Sequence, residues 1–75
     1  MNKIRRKELA KIIDILEEAR ERLEAVMDEE QEAFDNLPES IQCSERGETM
    51  EEYISIMGEF LDYLDTDSLQ EIVEG

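Results

Sequence analysis

Residues 9–27 decide the fold, and they read LAKIIDILEEARERLEAVM. Apolar side chains recur in this stretch every three or four positions, which is the repeat of an amphipathic α-helix. Written as heptads, the leucines form one column and a second column follows three residues after each of them. The same spacing continues on both sides, so we predict one long helix over residues 4–36. Its predicted packing seam comprises Leu9, Leu16 and Leu23 with Ile12, Ala19, Val26 and Ala33.

Pro38 ends the long helix, because proline lacks the amide hydrogen that a helix interior needs and also restricts the residue before it. Asn36 is predicted to cap a short turn through residues 38–41. We place this turn in a connector over residues 37–47.

A second helix is predicted over residues 48–65. The sequence offers two possible starts for this helix. Ser44 is a favourable N-cap residue, and Thr49 forms a capping box with Glu52. A short C-terminal helix over residues 68–74 follows a run of capping residues. No β-strand alternation occurs, so the predicted fold class is all-α. The predicted apolar stripe of the second helix comprises Met50, Tyr53, Ile54, Met57, Phe60, Leu61 and Leu64.

Two amphipathic helices joined by a short connector predict an antiparallel helical hairpin that forms one domain over residues 1–75. Each helix of such a hairpin buries only one side, so apolar surface remains for a second contact. We expect a homodimer that closes this surface as a helical bundle. The predicted oligomer interface comprises Ile13, Met27, Ile56 and Tyr63.

The charge of the chain is strongly asymmetric. Its 22 acidic and 8 basic side chains give a net charge of −14, with +2 in residues 1–23 and −16 in residues 24–75. This field repels phosphate backbones and anionic lipids, so we expect a basic protein partner and no direct binding to nucleic acid or membranes. Arg46 is the only cation after residue 24, and we expect it to stabilise the connector by pairing with Glu45 or Glu48.

The negative charge is concentrated on the second helix. Carboxylates three or four residues apart on a helix lie about 5–6 Å from one another, a spacing that resembles a row of phosphates. This pattern predicts that the helix occupies the nucleic-acid-binding surface of a basic protein. The alternative is a solvated face that only maintains solubility, for which a net charge of about 2–8 is enough. The predicted binding residues are Glu48, Glu51, Glu52, Glu59, Asp62, Asp65 and Asp67.

The composition argues against catalysis. With no histidine and one cysteine, the chain lacks the parts of a zinc site or a nucleophilic triad, and we expect no metal, no cofactor and no enzyme activity. Cys43 has no intrachain disulfide partner, which is typical of a reducing compartment. No apolar run has the length of a membrane span or the character of a signal-peptide core. We therefore expect a cytoplasmic protein.

Residues 34–52 read FDNLPESIQCSERGETMEE. The runs NLPES and SERGE resemble a segment of small acidic α-helical proteins from phages and prophages of Gram-positive bacteria, most of which are uncharacterised. The resemblance covers about a quarter of the chain, and Cys43 departs from it where an acidic or polar residue is expected. It implies a phage-encoded accessory protein in a bacterial host cell, of a kind that often inhibits nucleases and restriction or CRISPR systems. It implies no catalytic residues.

Two hypotheses for the function follow. The first is a non-enzymatic inhibitor that presents the acidic face of the second helix to a basic host protein, such as a defence nuclease or CRISPR effector. The second is a homo-oligomeric structural or assembly module that acts through its apolar helix surface. The two hypotheses differ in which face of the molecule matters.

Overall fold

The computed structural model describes residues 1–75, of which 85% are helical and none lies in a strand. This confirms the all-α class. The second long helix begins three residues before the predicted residue 48 and ends two residues before residue 65. The helices are α1 (Lys3–Asp35), α2 (Glu39–Gln42), α3 (Glu45–Tyr63) and α4 (Asp67–Glu74).

The α1 helix ends before Pro38, as the sequence predicts, but the capping differs. Asn36 is the C-cap of α1, and its amide donates to the carbonyl oxygen of Glu32 at 3.1 Å. Pro38 instead holds the N-cap position of α2, because its fixed φ of −56° and extended ψ of 146° suit that position. The prediction that Asn36 caps the short turn is therefore wrong.

The start of α3 settles the choice between the two predicted caps. Ser44 has extended backbone and occupies the N-cap position, although its hydroxyl contacts the carbonyl oxygen of Ile41 and not an amide of α3. Thr49 already lies in the second turn, where its hydroxyl donates to the carbonyl oxygen of Glu45 at 2.9 Å. The chain therefore becomes helical at residue 45, inside the segment that the sequence assigns to a connector.

Arg46 forms no ion pair, so its predicted pairing is wrong. The physical reason is the early start of α3, because Glu45 and Glu48 are one and two residues from Arg46 on the same helix. Residues at these separations do not face each other on a helix. All three side chains lie exposed to solvent.

The corner between α2 and α3 depends on Gly47. Gly47 is one of only three buried residues in the chain. A Cβ atom at this position would lie 2.6 Å from the carbonyl oxygen of Ile41, and closer still to that of Gln42. The absence of a side chain therefore lets the backbone of α2 pack directly against the first turn of α3.

The α3 and α4 helices lie along α1. Gln42 donates to the carbonyl oxygen of Phe34, at the far end of α1, at 2.9 Å. Further along, Arg20 reaches the carbonyl oxygen of Leu64 at 2.8 Å, and the Thr66 hydroxyl contacts the Glu17 carboxylate at 3.4 Å. Residue numbers fall along α1 while they rise along α3, so these two helices run in opposite directions.

The buried seam has a regular heptad repeat on both helices. Partly or fully buried residues alternate at spacings of four and three along α1, and at spacings of three and four along α3. The second column of α1 differs from the predicted one by a single position, which rotates it by about 100°. On α1 the seam comprises Leu9, Ile13, Leu16, Arg20, Leu23, Met27, Glu30 and Phe34, and on α3 Gly47, Met50, Ile54, Met57, Leu61 and Leu64.

The molecule is a thin rod of 58 × 15 × 13 Å. Its radius of gyration is 17.6 Å, whereas a compact domain of this length has a radius of about 11 Å. Because the rod is only two helices thick, Ile13 and Leu61 are the only hydrophobic residues that are fully buried. Most other apolar side chains are in contact with solvent on at least one side.

Candidate interaction faces

The seam fixes the heptad position of every other helical residue. Ile13 and Arg20 lie at a and Leu16 at d, while Leu61 and Leu64 lie at a and d of α3. In a pair of helices with opposite directions, positions g and c of both helices lie on one side of the pair, and positions e and b lie on the other. The rod therefore has two distinct sides, and their compositions differ sharply.

Positions g and c carry a mostly apolar face, although position c of α1 also holds Glu8, Arg22 and Glu29, and position g of α3 holds Arg46. On α3 its apolar side chains are large and between 53% and 84% exposed. On α1 the face combines isoleucine and valine side chains with two exposed alanines. The apolar face comprises Tyr53, Ile56, Phe60 and Tyr63 on α3 and Ile12, Ile15, Ala19, Val26 and Ala33 on α1.

A shallow depression of about 310 Å³ lies on this face. It is lined by Tyr53, Ile56 and Met57 of α3 together with Glu30 of α1. The depression therefore lies where α3 meets α1, and one carboxylate adjoins its three apolar residues.

The structure corrects half of the predicted oligomer interface. Ile56 and Tyr63 are exposed, as that interface requires. Ile13 is only 2% exposed and Met27 lies in the seam beside Gly58, so neither belongs to the apolar face. The seam is occupied by these residues because α1 packs through position 13 instead of position 12.

Several residues of the apolar face were misplaced at the sequence level. Tyr53 and Phe60 are predicted to belong to the buried stripe of the second helix, yet more than half of each side chain is exposed. Both lie at g, one position before the partly buried Ile54 and the buried Leu61. The helical repeat alone does not separate g from a, because both positions lie near the edge of a broad apolar stripe.

Positions e and b, with the outer position f of α3, carry an acidic face. All the carboxylates predicted on α3 are exposed and belong to it, and α1 adds further carboxylates from its own e and b positions. The contribution of α1 was missed because the predicted seam places Glu21, Asp28 and Asp35 on the outer side of α1, opposite the seam. The acidic face comprises Glu48, Glu51, Glu52, Glu59 and Asp62 on α3 and Glu21, Glu24, Asp28 and Asp35 on α1.

Almost none of the carboxylates in the acidic face forms an ion pair with a cation of the same chain. The chain forms only two ion pairs, Arg20 with Glu24 and Arg22 with Glu18. Of the nine carboxylates in the face, only Glu24 therefore has a cationic partner. The charge of the other eight is available to an external surface.

The two remaining predicted residues extend the acidic charge beyond α3. The Asp65 carboxylate accepts a 2.9 Å hydrogen bond from the amide of Asp67 and so shapes the start of α4. Thr66 lies between them and contacts Glu17 of α1. Asp65 thus has a local structural role in addition to its charge.

The remaining features of the chain offer little for ligand chemistry. No group of three or more potential ligand side chains is placed to hold a metal ion. Cys43 is a free, exposed thiol in the connection between α2 and α3. None of the helices combines the length and the apolar character that crossing a bilayer requires.

Comparison with known proteins identifies no relative, since family models, curated proteins and solved structures all give no significant match to this chain. The two faces are therefore the basis for assigning a function.

Proposed function

We propose that the chain is a non-enzymatic protein-binding inhibitor that occupies a basic, nucleic-acid-binding surface of a bacterial host protein. The scaffold in this proposal is an antiparallel helical hairpin, and the acidic face is its binding surface. One observation supports the proposal most strongly: nine exposed carboxylates share one side of two adjacent helices, and eight of them have no cationic partner.

The charge density of this face is close to that of DNA. The acidic face spans residues 48–62 of α3 and the adjoining residues 21–35 of α1, each about 21 Å long at 1.5 Å per residue. Duplex DNA carries one charge per about 1.7 Å, or about twelve phosphates over the same length. Nine carboxylates in this length are therefore a close electrostatic substitute for a short duplex.

The resemblance of residues 34–52 to phage and prophage proteins gives this proposal a biological setting. We propose that the chain is phage-encoded, acts in the cytoplasm of the bacterial host and binds a defence nuclease or CRISPR effector. Proteins of these classes hold nucleic acid in positively charged channels. The rod is only two helices thick, which is the slender shape that entry into such a channel requires.

The test compares two variants of equal charge. A face variant changes Glu48, Glu51 and Glu59 to Gln and Asp62 to Asn. An off-face variant makes four Glu→Gln changes at exposed positions outside the acidic face. Both variants reduce the net charge from −14 to −10, so they separate the arrangement of charge from its amount. The off-face positions are Glu32, Glu39, Glu71 and Glu74.

The tagged wild-type chain and both variants are used for capture from a bacterial lysate, with elution along a salt gradient and mass spectrometry. We expect the wild type and the off-face variant to retain a nucleic-acid-binding protein that elutes at moderate salt and that duplex DNA displaces. The face variant is expected to lose it. Equal retention by the face variant would contradict the proposal.

A second candidate is a homo-oligomeric structural or assembly module. It is favoured by a different observation, the mostly apolar face on the side opposite the acidic one. Large exposed apolar patches on soluble proteins commonly mark protein-interaction sites. In this proposal, polar substitutions at Ile56 and Tyr63 abolish assembly, while the face variant assembles as the wild type does.

A further inference from the structure

We infer that the apolar face is the interface of a two-fold homodimer in which the two α1 helices run antiparallel to each other and cross near Ala19. The inference rests on the second proposed function and adds to it the occupant of the face, which is a second copy of the chain, and the relative direction of the two copies. It is compatible with the inhibitor proposal, because the five acidic-face carboxylates on α3 stay outside the dimer.

The single chain exposes more surface than a compact monomer of its mass. Its accessible surface is 5940 Å². A compact monomer of 8.8 kDa exposes about 4,800 Å², so this chain has an excess of roughly 1,100 Å². A standard interface covers about 800 Å² of each partner, and stable homodimers bury more than about 2,000 Å² in total. The excess on two chains matches the area that a stable dimer requires.

The acidic face lies away from the apolar face. Two chains together carry a charge of −28, which opposes association if the acidic surfaces approach each other. The acidic face lies at positions e and b, on the side of the rod away from positions g and c. Contact through the apolar face therefore keeps the acidic-face carboxylates of the two α3 helices on opposite outer sides of the dimer.

The distribution of charge along α1 favours one relative direction of the two α1 helices. Residues 1–11 contain five cations and one carboxylate, whereas residues 24–35 contain six carboxylates and no cation. None of the five cations forms an ion pair within the chain. Antiparallel α1 helices place each basic segment beside the acidic segment of the partner, whereas parallel helices bring like charges together. The basic segment comprises Lys3, Arg5, Arg6, Lys7 and Lys11.

The middle of α1 is where we place the crossing point of the two α1 helices. Ala19 is the middle residue of α1, which spans Lys3–Asp35, and it lies at position g of the apolar face. A dimer centred there overlaps the full length of both helices. The small side chain of Ala19 also allows the two backbones to approach closely, as small residues do at helix crossings. In this arrangement Ile12 of one chain lies at the level of Val26 of its partner.

The experiment has two readings on the same protein. Light scattering coupled to size exclusion measures the mass, which we expect to be about twice 8.8 kDa. Ile56→Gln combined with Phe60→Gln is expected to restore the single-chain mass. Ile4→Gln with Ala25→Gln is the matched control, because both positions are exposed and lie outside the apolar face, and its mass is expected to stay doubled.

The second reading tests the direction with a short bismaleimide cross-linker in a Cys43→Ser background. Chains carrying Ile12→Cys are mixed with chains carrying Val26→Cys, and the products are identified by mass spectrometry. We expect the link between the two different chains to dominate. A control mixture of Asp14→Cys and Glu24→Cys chains, at positions on the acidic side of α1, is expected to give no such link.

The outcomes separate the inference from the function on which it rests. A single-chain mass for the wild type would overturn both the dimer and the second proposed function. A doubled mass with links only between identical positions, or with no links, would overturn the antiparallel arrangement and leave the second proposed function standing. A doubled mass with links between positions 12 and 26 supports both.

Discussion

The guanidinium Nη1 of Arg20 donates a 2.8 Å hydrogen bond to the carbonyl oxygen of Leu64, 44 residues later in the chain. Leu64 is the C-cap of α3, where the last carbonyl groups of the helix have no intrahelical partner. A cation at this end also interacts favourably with the helix dipole. Arg20 therefore joins α1 to the end of α3, which explains a charged residue within a mostly apolar seam.

Arg20→Met tests this contact. Methionine keeps the aliphatic stem in the seam but removes the hydrogen bond and leaves the Leu64 carbonyl without its partner. Because the Arg20 side chain is 41% exposed, water partly replaces the lost bond, and we expect a loss of about 1 kcal/mol in the free energy of unfolding. Urea denaturation followed by circular dichroism measures it.

Arg22→Met is the matched control for Arg20. The Arg22 side chain is 79% exposed and pairs only with Glu18 on the same helix. Exposed pairs of this kind contribute little, so the expected change is within about 0.5 kcal/mol. Equal destabilisation by both substitutions would show that the contact with Leu64 has no special importance.

Replacing each of the two glycines of α3 by alanine should change the stability of the protein in opposite directions. Gly47→Ala forces a methyl group against the backbone carbonyls of Ile41 and Gln42, and we expect a loss of about 1–3 kcal/mol. At Gly58 a Cβ atom would lie 3.7 Å from the Sδ of Met27, which is ordinary contact. Gly58→Ala should therefore stabilise the helix by roughly 0.5–1 kcal/mol.

Chemical denaturation of the two alanine variants gives the sign of each effect directly. The wild-type chain is the reference, and α-helical circular dichroism is the signal. A stabilised Gly47→Ala variant would mean that α2 does not pack against the first turn of α3.

Asn2 caps α1 through its side-chain oxygen, which accepts a 2.8 Å hydrogen bond from the backbone amide of Arg5. Asn2→Ala removes this bond, and we expect a loss of about 0.5–1 kcal/mol. Asn36 makes no side-chain hydrogen bond, so Asn36→Ala should have a smaller effect. Thermal melts of both variants test the order, and a larger effect at Asn36 would contradict the capping assignment.

The thermal midpoint should rise with salt. The chain has a charge of −14 and only two ion pairs, both exposed, so screening removes more repulsion than attraction. Between 10 mM and 1 M salt the Debye length falls from about 30 to about 3 Å. The face variant described above should show a weaker rise than the wild type. A midpoint that falls with salt would mean that ion pairs dominate the electrostatics.

The sequence predicts the helices better than it predicts their contacts. The end of α1 before Pro38 follows from the chemistry of proline, and the amphipathic repeat places α1 within one residue of its observed limits. The seam was misassigned because Ala19 suits a buried column better than Arg20 does by composition. That preference reverses once Arg20 can reach the Leu64 carbonyl, a partner 44 residues away.

The acidic face was likewise only partly predictable from the sequence. The exposed carboxylates of α3 were predictable, because charged groups avoid burial wherever water is available. The carboxylates that α1 adds depend on which residues of α1 form the seam, because the predicted seam places Glu21, Asp28 and Asp35 on the outer side of the helix. Helical periodicity alone does not choose between the two seams.

The all-α class and the limits of α1 follow from the sequence alone, because they depend on residues within a few positions of one another. The excess of negative charge follows from the composition. Tertiary structure decided that α1 packs through Ile13 and not Ile12, and so which apolar residues remain exposed. Residues 12 and 13 lie about 100° apart around the helix axis. Both choices place leucines in the seam, and only the fit of α3 and α4 against α1 distinguishes them.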